Sequence, residues 1–280
     1  MRKPAARLHT LACVAAICVA AGTAVLVLHD DYGATWDEGA QARYGELALD
    51  YFASAGSDGR VHEFFNLKYY GPFLEMVAAA AYRDHPERKF EIRHLITGLF
   101  ALLAIPGLAL FSSLFRDPRV VVMAPVALLM LPRFSGHAFN NSKDVPFAVA
   151  VTLFFALVSR LFVRNDYSWK AVLLAGAGLG LAMSIRPGGL LLLGAYLVVI
   201  ALVCRIFLGP SPAVRAPALR VAVLLGTAWL LMFLVWPWAH TSPIGSLVDA
   251  TALAMAFPEP IAVFFEGRHI ASTDLPSYYL

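Results

Sequence analysis

Apolar positions along this chain gather into long blocks rather than alternating with polar ones. The first, Leu8 to Leu28, contains no Asp, Glu, Lys or Arg. Further blocks run from His94 to Phe115, Val120 to about Phe134, Val145 to Val163, Ala171 to Ile185, Leu190 to Leu208 and Val221 to Trp236. Most approach the roughly 20 residues that an α-helix needs to cross about 30 Å of hydrocarbon. Several carry no charge over about five turns, so a soluble helix would be apolar on every face. The pattern predicts an all-α, polytopic transmembrane bundle of seven spans, forming a single domain over residues 1–280.

Between the blocks, the polar segments differ in length and in charge. Residues 29–93 form one long polar stretch, whereas Arg116-Asp117-Pro118-Arg119, Arg164 to Lys170 and Gly209 to Arg220 are short and basic. A basic N-terminus (Arg2, Lys3, Arg7) followed by an apolar run longer than a signal-peptide core predicts an uncleaved first helix with its N-terminus in the cytoplasm. The short loops on that side then hold many of the Lys and Arg residues but only two acids, Asp117 and Asp166. That asymmetry places residues 29–93 and the tail, residues 237–280, on the outer side, in a membrane that fits a bacterial inner (plasma) membrane.

Two blocks are short for a crossing. Val120 to Leu131 and Ala171 to Ile185 reach roughly 18 to 23 Å at 1.5 Å per residue. Each is followed by an arginine with a neighbouring proline, Pro132-Arg133 and Arg186-Pro187. Either these side chains snorkel at the interface, or the outer loops dip inward to form a cavity lined by cations.

Within residues 29–93, Ala40, Tyr44, Leu47, Ala48, Tyr51 and Phe52 recur at helical spacing and predict an interfacial helix. Thr35 and Glu38 match the T-x-x-E capping box that would start it, and Asp37 favours the dipole of its first turn. A second short apolar stretch, Tyr69 to Tyr82, carries Glu75 and follows Lys68. The segment Arg133 to Pro146 is dense in hydrogen-bonding groups, including His137, Asn141, Lys143 and Asp144. Asp144 followed by Pro146 also reads as a helix start, and His137 as a satisfied polar loop residue.

Composition adds exclusions. The hydrophobic share is 59% and the formal net charge is +3. Cys13, Cys18 and Cys204 all fall in apolar runs without a CxxC, so neither a disulfide framework nor a zinc site is indicated. Gly176, Gly178 and Gly180 lie in an apolar helix and read as helix-packing positions, not a phosphate loop. Basic residues sit where topology needs them, and nothing indicates nucleic-acid binding.

Taken together, an Asp-Glu just after the first span, a lysine ahead of a second interfacial helix, an Asp-x-Pro opening the fourth span and an Arg-Pro after the fifth resemble a known family. This arrangement is similar to that of the GT-C type glycosyltransferases that use polyprenyl-phosphate sugars. The nearest branch is glycosyltransferase family 39, which includes protein O-mannosyltransferases and aminoarabinose transferases. The resemblance implies a sugar transfer with inversion from a polyprenyl-phosphate donor to a protein, lipid or glycan acceptor at the outer face of the bilayer. It implies Asp37 as general base, Glu38 as its neighbour and Asp144 as the second acid. Lys68, with Arg186 and Arg133, would meet the donor phosphate, and His137, Asn141 and Lys143 are candidates for the acceptor side. Around the lysine this chain has Lys68-Tyr69-Tyr70-Gly71-Pro72 in place of the usual Lys-Pro-Pro. No cofactor is specified, and participation of a divalent cation is left open. Family members are longer, so this chain is expected to correspond to their N-terminal part, with an inactive remnant as the alternative. A secondary transporter is a weaker alternative, since no acid lies in mid-span and no half-length repeat is visible.

Overall fold

A computed structural model describes residues 4–188, 218–255 and 262–276. The predicted block Leu190 to Leu208 therefore lies outside the described residues. Among those described, the chain is overwhelmingly helical, with one two-stranded hairpin.

Helix α1 (Pro4–Leu28) is followed by α2 (Glu38–Ala53), two short 3-10 turns (Gly59–His62 and Phe65–Tyr69) and α3 (Phe73–Tyr82). A third block is broken into α4 (Lys89–Ala101) and α5 (Ala104–Ser112), and is continued by α6 (Pro118–Leu129) and α7 (Pro132–Asn140). Helices α8 (Asp144–Arg164), α9 (Trp169–Met183) and α10 (Ala218–Val235) come next. Two shorter helices, α11 (Pro237–Thr241) and α12 (Gly245–Met255), precede strands β1 (Ala262–Phe265) and β2 (Arg268–Ala271). The hairpin turns through Glu266 and Gly267, both at positive φ (48° and 81°), the geometry that matches strand twist across a two-residue loop.

Three helical stretches are long and apolar enough to cross a membrane: Ala6–Leu28, Pro86–Phe115 and Asp144–Arg164. The pair α6 and α7 counts as a fourth if its two halves are one broken span, bent by 65°. Such surfaces belong against a lipid bilayer. Helix α9, at 15 residues, is a shorter apolar helix, in keeping with the short block read from the sequence.

The bend between α6 and α7 changes one expectation. Residues 132–140 are not an irregular loop but a helix that turns back toward the bundle, restarted by Pro132 in its first turn after Leu131 in extended conformation. Helix α2 changes another. Its apolar stripe, with Tyr44, Leu47, Ala48 and Tyr51, is buried against protein rather than left for lipid. The reason is a close α2–α3 crossing at Gly45, where a Cβ would lie 2.4 Å from the Glu75 carbonyl oxygen.

Helix α9 packs between α8 and α10 around Phe154, Leu179, Met232 and Trp236. Its glycines permit this. A Cβ on Gly176 would meet the Leu224 carbonyl oxygen at 2.7 Å, and one on Gly178 would meet the Phe154 Cα at 3.1 Å. They are packing residues, as their spacing suggested.

Candidate functional site

One end of this bundle carries a polar cavity of about 340 Å³. The start of α2, the α7–α8 connection and Arg186, shortly after the end of α9, all contribute to it. Asp37, Glu38, His137, Asn141, Lys143, Asp144 and Arg186, separated by as much as 149 positions in sequence (186 − 37), line the same space.

The two candidate acids each meet a cation. Asp37 Oδ2 accepts from Lys143 Nζ at 3.0 Å. Asp144 Oδ1 accepts from the Arg186 guanidinium, and its Oδ2 from Asn141 Nδ2 at 3.1 Å. Each accepts two hydrogen bonds, and they differ in exposure and in the second donor. Both oxygens of Asp144 are engaged by strong donors, and its side chain is 59% exposed. Asp37 is 27% exposed, and its Oδ1 has only the Thr35 hydroxyl, at 3.3 Å. A carboxylate offers about four lone-pair sites, so two remain on each; on Asp37 the long Thr35 contact is the one most readily exchanged for a proton donor from the cavity.

Glu38 is held by contacts within the fold. It is buried, and its Oε2 accepts from the Thr35 backbone N–H at 2.6 Å, the returning half of a capping box. The other half is absent, because the Thr35 hydroxyl donates to the two carboxylates instead of accepting from the helix. Glu38 Oε1 meets His94 Nε2 at 3.0 Å, and His94 Nδ1 faces the His29 carbonyl at 3.2 Å. This bolts the start of α2 to α4 and to the end of α1, and so fixes Asp37 one residue earlier.

The α7–α8 connection is capped differently from the expectation. Asp144 is the first residue of α8 and makes no capping bond; Asn141 does, its Oδ1 accepting from the backbone N–H of Asp144 at 2.8 Å and of Lys143 at 3.3 Å. Asp144 is thereby left free to hold Arg186. Beneath it, Ser142 Oγ donates to Glu75 Oε1 at 2.6 Å and accepts from Arg93 at 3.2 Å, while Arg93 also donates to Glu75 Oε2 at 2.6 Å. All three side chains are buried. Nothing in the sequence reading singled out Arg93, His94 or Ser142. Glu75 alone gave a signal, as an acid inside an apolar stretch that must find a partner.

Tyr70 joins this constellation from the α2–α3 segment. Its ring lies 5.7 Å from Lys143 Nζ and 5.5 Å from the Arg186 guanidinium carbon. Its carbonyl accepts from the Tyr44 hydroxyl at 2.7 Å. Burial first, and then the Glu75 charge, push the Tyr44 pKa up, so the hydroxyl remains a neutral donor. Gly71 then crosses the end of α9 so closely that its N–H donates to the Ile185 carbonyl at 3.1 Å. A Cβ there would lie 2.1 Å from the Ser184 carbonyl oxygen.

Lys68 is not among the residues lining the cavity. Its ammonium lies over the rings of Trp238 and Tyr69, at 4.6 and 5.4 Å from their centroids, and its carbonyl accepts from Trp236 Nε1. Of the cations expected to meet the donor phosphate, Arg186 lines the cavity and Lys68 does not; Lys143 lines it as well. Arg133 is exposed on α7 and does not line the cavity either. Among the described residues, Asn140 Oδ1 and Arg186 Nε of the cavity lining are buried without a hydrogen-bond partner. Among the described residues, no group of three or more His, Cys, Asp or Glu side chains is arranged to hold a metal ion.

Comparison with family models, with curated proteins and with solved structures finds no match to this chain.

Proposed function

We propose that this chain acts as a membrane glycosyltransferase of the GT-C type, moving a sugar from a polyprenyl-phosphate donor to a hydroxyl-bearing acceptor. The observation that carries this reading is the polar cavity lined by two carboxylate–cation pairs, Asp37 with Lys143 and Asp144 with Arg186. Such a transfer needs both signs of charge. Asp37 would take the proton of the acceptor hydroxyl as its oxygen attacks the anomeric carbon, and the bond from that carbon to the phosphate oxygen would break with inversion. Negative charge would then develop on the departing polyprenyl phosphate, which Lys143 and Arg186 would stabilise from fixed positions. Asp144 would orient Arg186. Lys68, over its aromatic pair, would belong to a more peripheral part of the donor path.

In the same proposal the chain crosses the membrane seven times with its N-terminus in the cytoplasm, which puts the cavity on the outer side of a bacterial inner membrane. A lipid-linked donor could then present its headgroup while its tail stayed in hydrocarbon.

The test is transfer by the reconstituted chain from radiolabelled polyprenyl-phosphate sugars. Asp37→Asn should lower the rate by at least about 100-fold, the usual contribution of a positioned general base, with membrane insertion unchanged. Undiminished transfer by that variant would remove Asp37 from the mechanism. Absence of transfer by the unmodified chain across donor sugars would overturn the glycosyltransferase reading.

A further inference from the structure

A second cavity, of about 230 Å³, lies at the other end of α8, where that helix turns into α9. Helix α8 is 21 residues long and starts at Asp144, so its ends are separated by about 30 Å, the thickness of a bilayer core. The second cavity therefore faces the membrane surface opposite the candidate site.

Its lining is divided by chemistry. Arg160 and Arg164, one turn apart on α8, and Lys170 on α9 supply three cations. Leu157, Leu161 and Leu174 supply an apolar wall, and Leu174 is 47% exposed beside Leu173 and Val163, which are also exposed. The one carboxylate present, Asp166, is turned toward its own chain, its Oδ1 accepting from the Ser168 N–H at 3.1 Å. No ion pair with a carboxylate is formed by Arg160, Arg164 or Lys170 among the described residues; Arg160 instead donates to Ser113 Oγ at 3.3 Å. Asp166 lies close enough to attract Arg160 and Arg164, but one carboxylate faces three cations and like charges at i and i+4 repel along a helix face, so the cavity keeps an excess of positive charge. Nearby, the Arg220 guanidinium lies over the Trp169 ring, an interfacial aromatic held by a further cation.

Basic residues flanking a span are explained by topology alone, but topology does not require them to enclose a cavity with a leucine wall. We propose that this cavity is a binding site for an anionic phospholipid, whose phosphate headgroup meets Arg160, Arg164 and Lys170 while an acyl chain lies along Leu157, Leu161 and Leu174. This inference is independent of the glycosyl-transfer reading. It names a structural lipid on the face opposite the polar site.

Native mass spectrometry of the full chain, purified in detergent with equal mole fractions of dioleoyl-phosphatidylglycerol and dioleoyl-phosphatidylcholine, tests it. The unmodified chain should retain phosphatidylglycerol at least about fivefold over phosphatidylcholine, consistent with several charge-assisted contacts. The triple variant Arg160→Gln, Arg164→Gln, Lys170→Gln should lose that preference. The charge-preserving variant Arg160→Lys, Arg164→Lys, Lys170→Arg should keep it, which separates lost charge from lost folding. Equal retention of both lipids by the unmodified chain, or an unchanged preference in the glutamine variant, overturns the proposal. Displacement of the lipid by equimolar soluble glycerol phosphate would also overturn it, because the site would then recognise a free phosphate solute.

Discussion

Asp37 and Glu38 are neighbours with opposite fates, and burial separates them. Glu38 is buried and held by the Thr35 N–H and His94, whereas the Asp37 side chain is 27% exposed at the cavity. The Glu75–Arg93–Ser142 cluster is where single substitutions should cost most stability. Arg93→Met leaves the Glu75 carboxylate buried without its partner, a change that typically costs about 3–5 kcal/mol. The double variant Arg93→Met, Glu75→Gln should recover much of that loss, as read from thermal unfolding in detergent; equal destabilisation of single and double variants would mean that the pair is not coupled. His62 offers a test with pH. Burial first, and then the charges of His240 and Lys68, lower its pKa from the ordinary 6.5, so the folded chain prefers the neutral ring. Because the unfolded chain binds the proton more readily, this contribution is complete above pH 6.5 and is lost as pH falls from 6.5 toward the depressed value. A falling thermal midpoint across that window, flattened by His62→Gln, is the expected result.

Among the elements, the connections matter as much as the helices. The segment from Tyr70 to Phe73 crosses the end of α9 through backbone hydrogen bonds at 3.1 and 3.3 Å, and that crossing carries the Tyr70 ring to Lys143 and Arg186. Gly71→Ala would push a methyl group into the Ser184 carbonyl, so the two segments must separate. We expect a loss of about 1–3 kcal/mol in stability, the usual cost of overpacking, together with a reduced transfer rate. A variant as stable and as active as the unmodified chain would show that this crossing does not support the site. Gly71 was legible only as part of a departure from a familiar Lys-Pro-Pro. Its role depends on a helix end more than 100 positions away, which no local pattern could reveal.

At the scale of the whole molecule, α8 joins two polar regions at its opposite ends, the Asp37–Asp144 cavity and the Arg160–Lys170 cavity, which the proposed topology puts on opposite sides of the membrane. This can be checked without any activity. With Cys13, Cys18 and Cys204 replaced by Ser, single cysteines introduced by Ser57→Cys and Ser168→Cys should react with an impermeant maleimide from opposite sides of sealed vesicles. Labelling from the same side would mean that an even number of crossings separates them, and would overturn the placement of the two cavities on opposite sides.

The apolar blocks determined by themselves that this chain is helical and suited to a bilayer, because a helix of that length and composition has few other environments. They also marked Asp37, Lys143, Asp144 and Arg186 as polar groups at block ends, where such groups are expensive unless used or paired. Which of these meet was decided only by tertiary structure. The bend after α6, the burial of α2 against α3 and the return of Gly71 across α9 bring residues from distant loops into one cavity and carry Lys68 away from it. Pairing across more than 100 positions depends on helix crossings, and those are set by side-chain volumes on both partners at once.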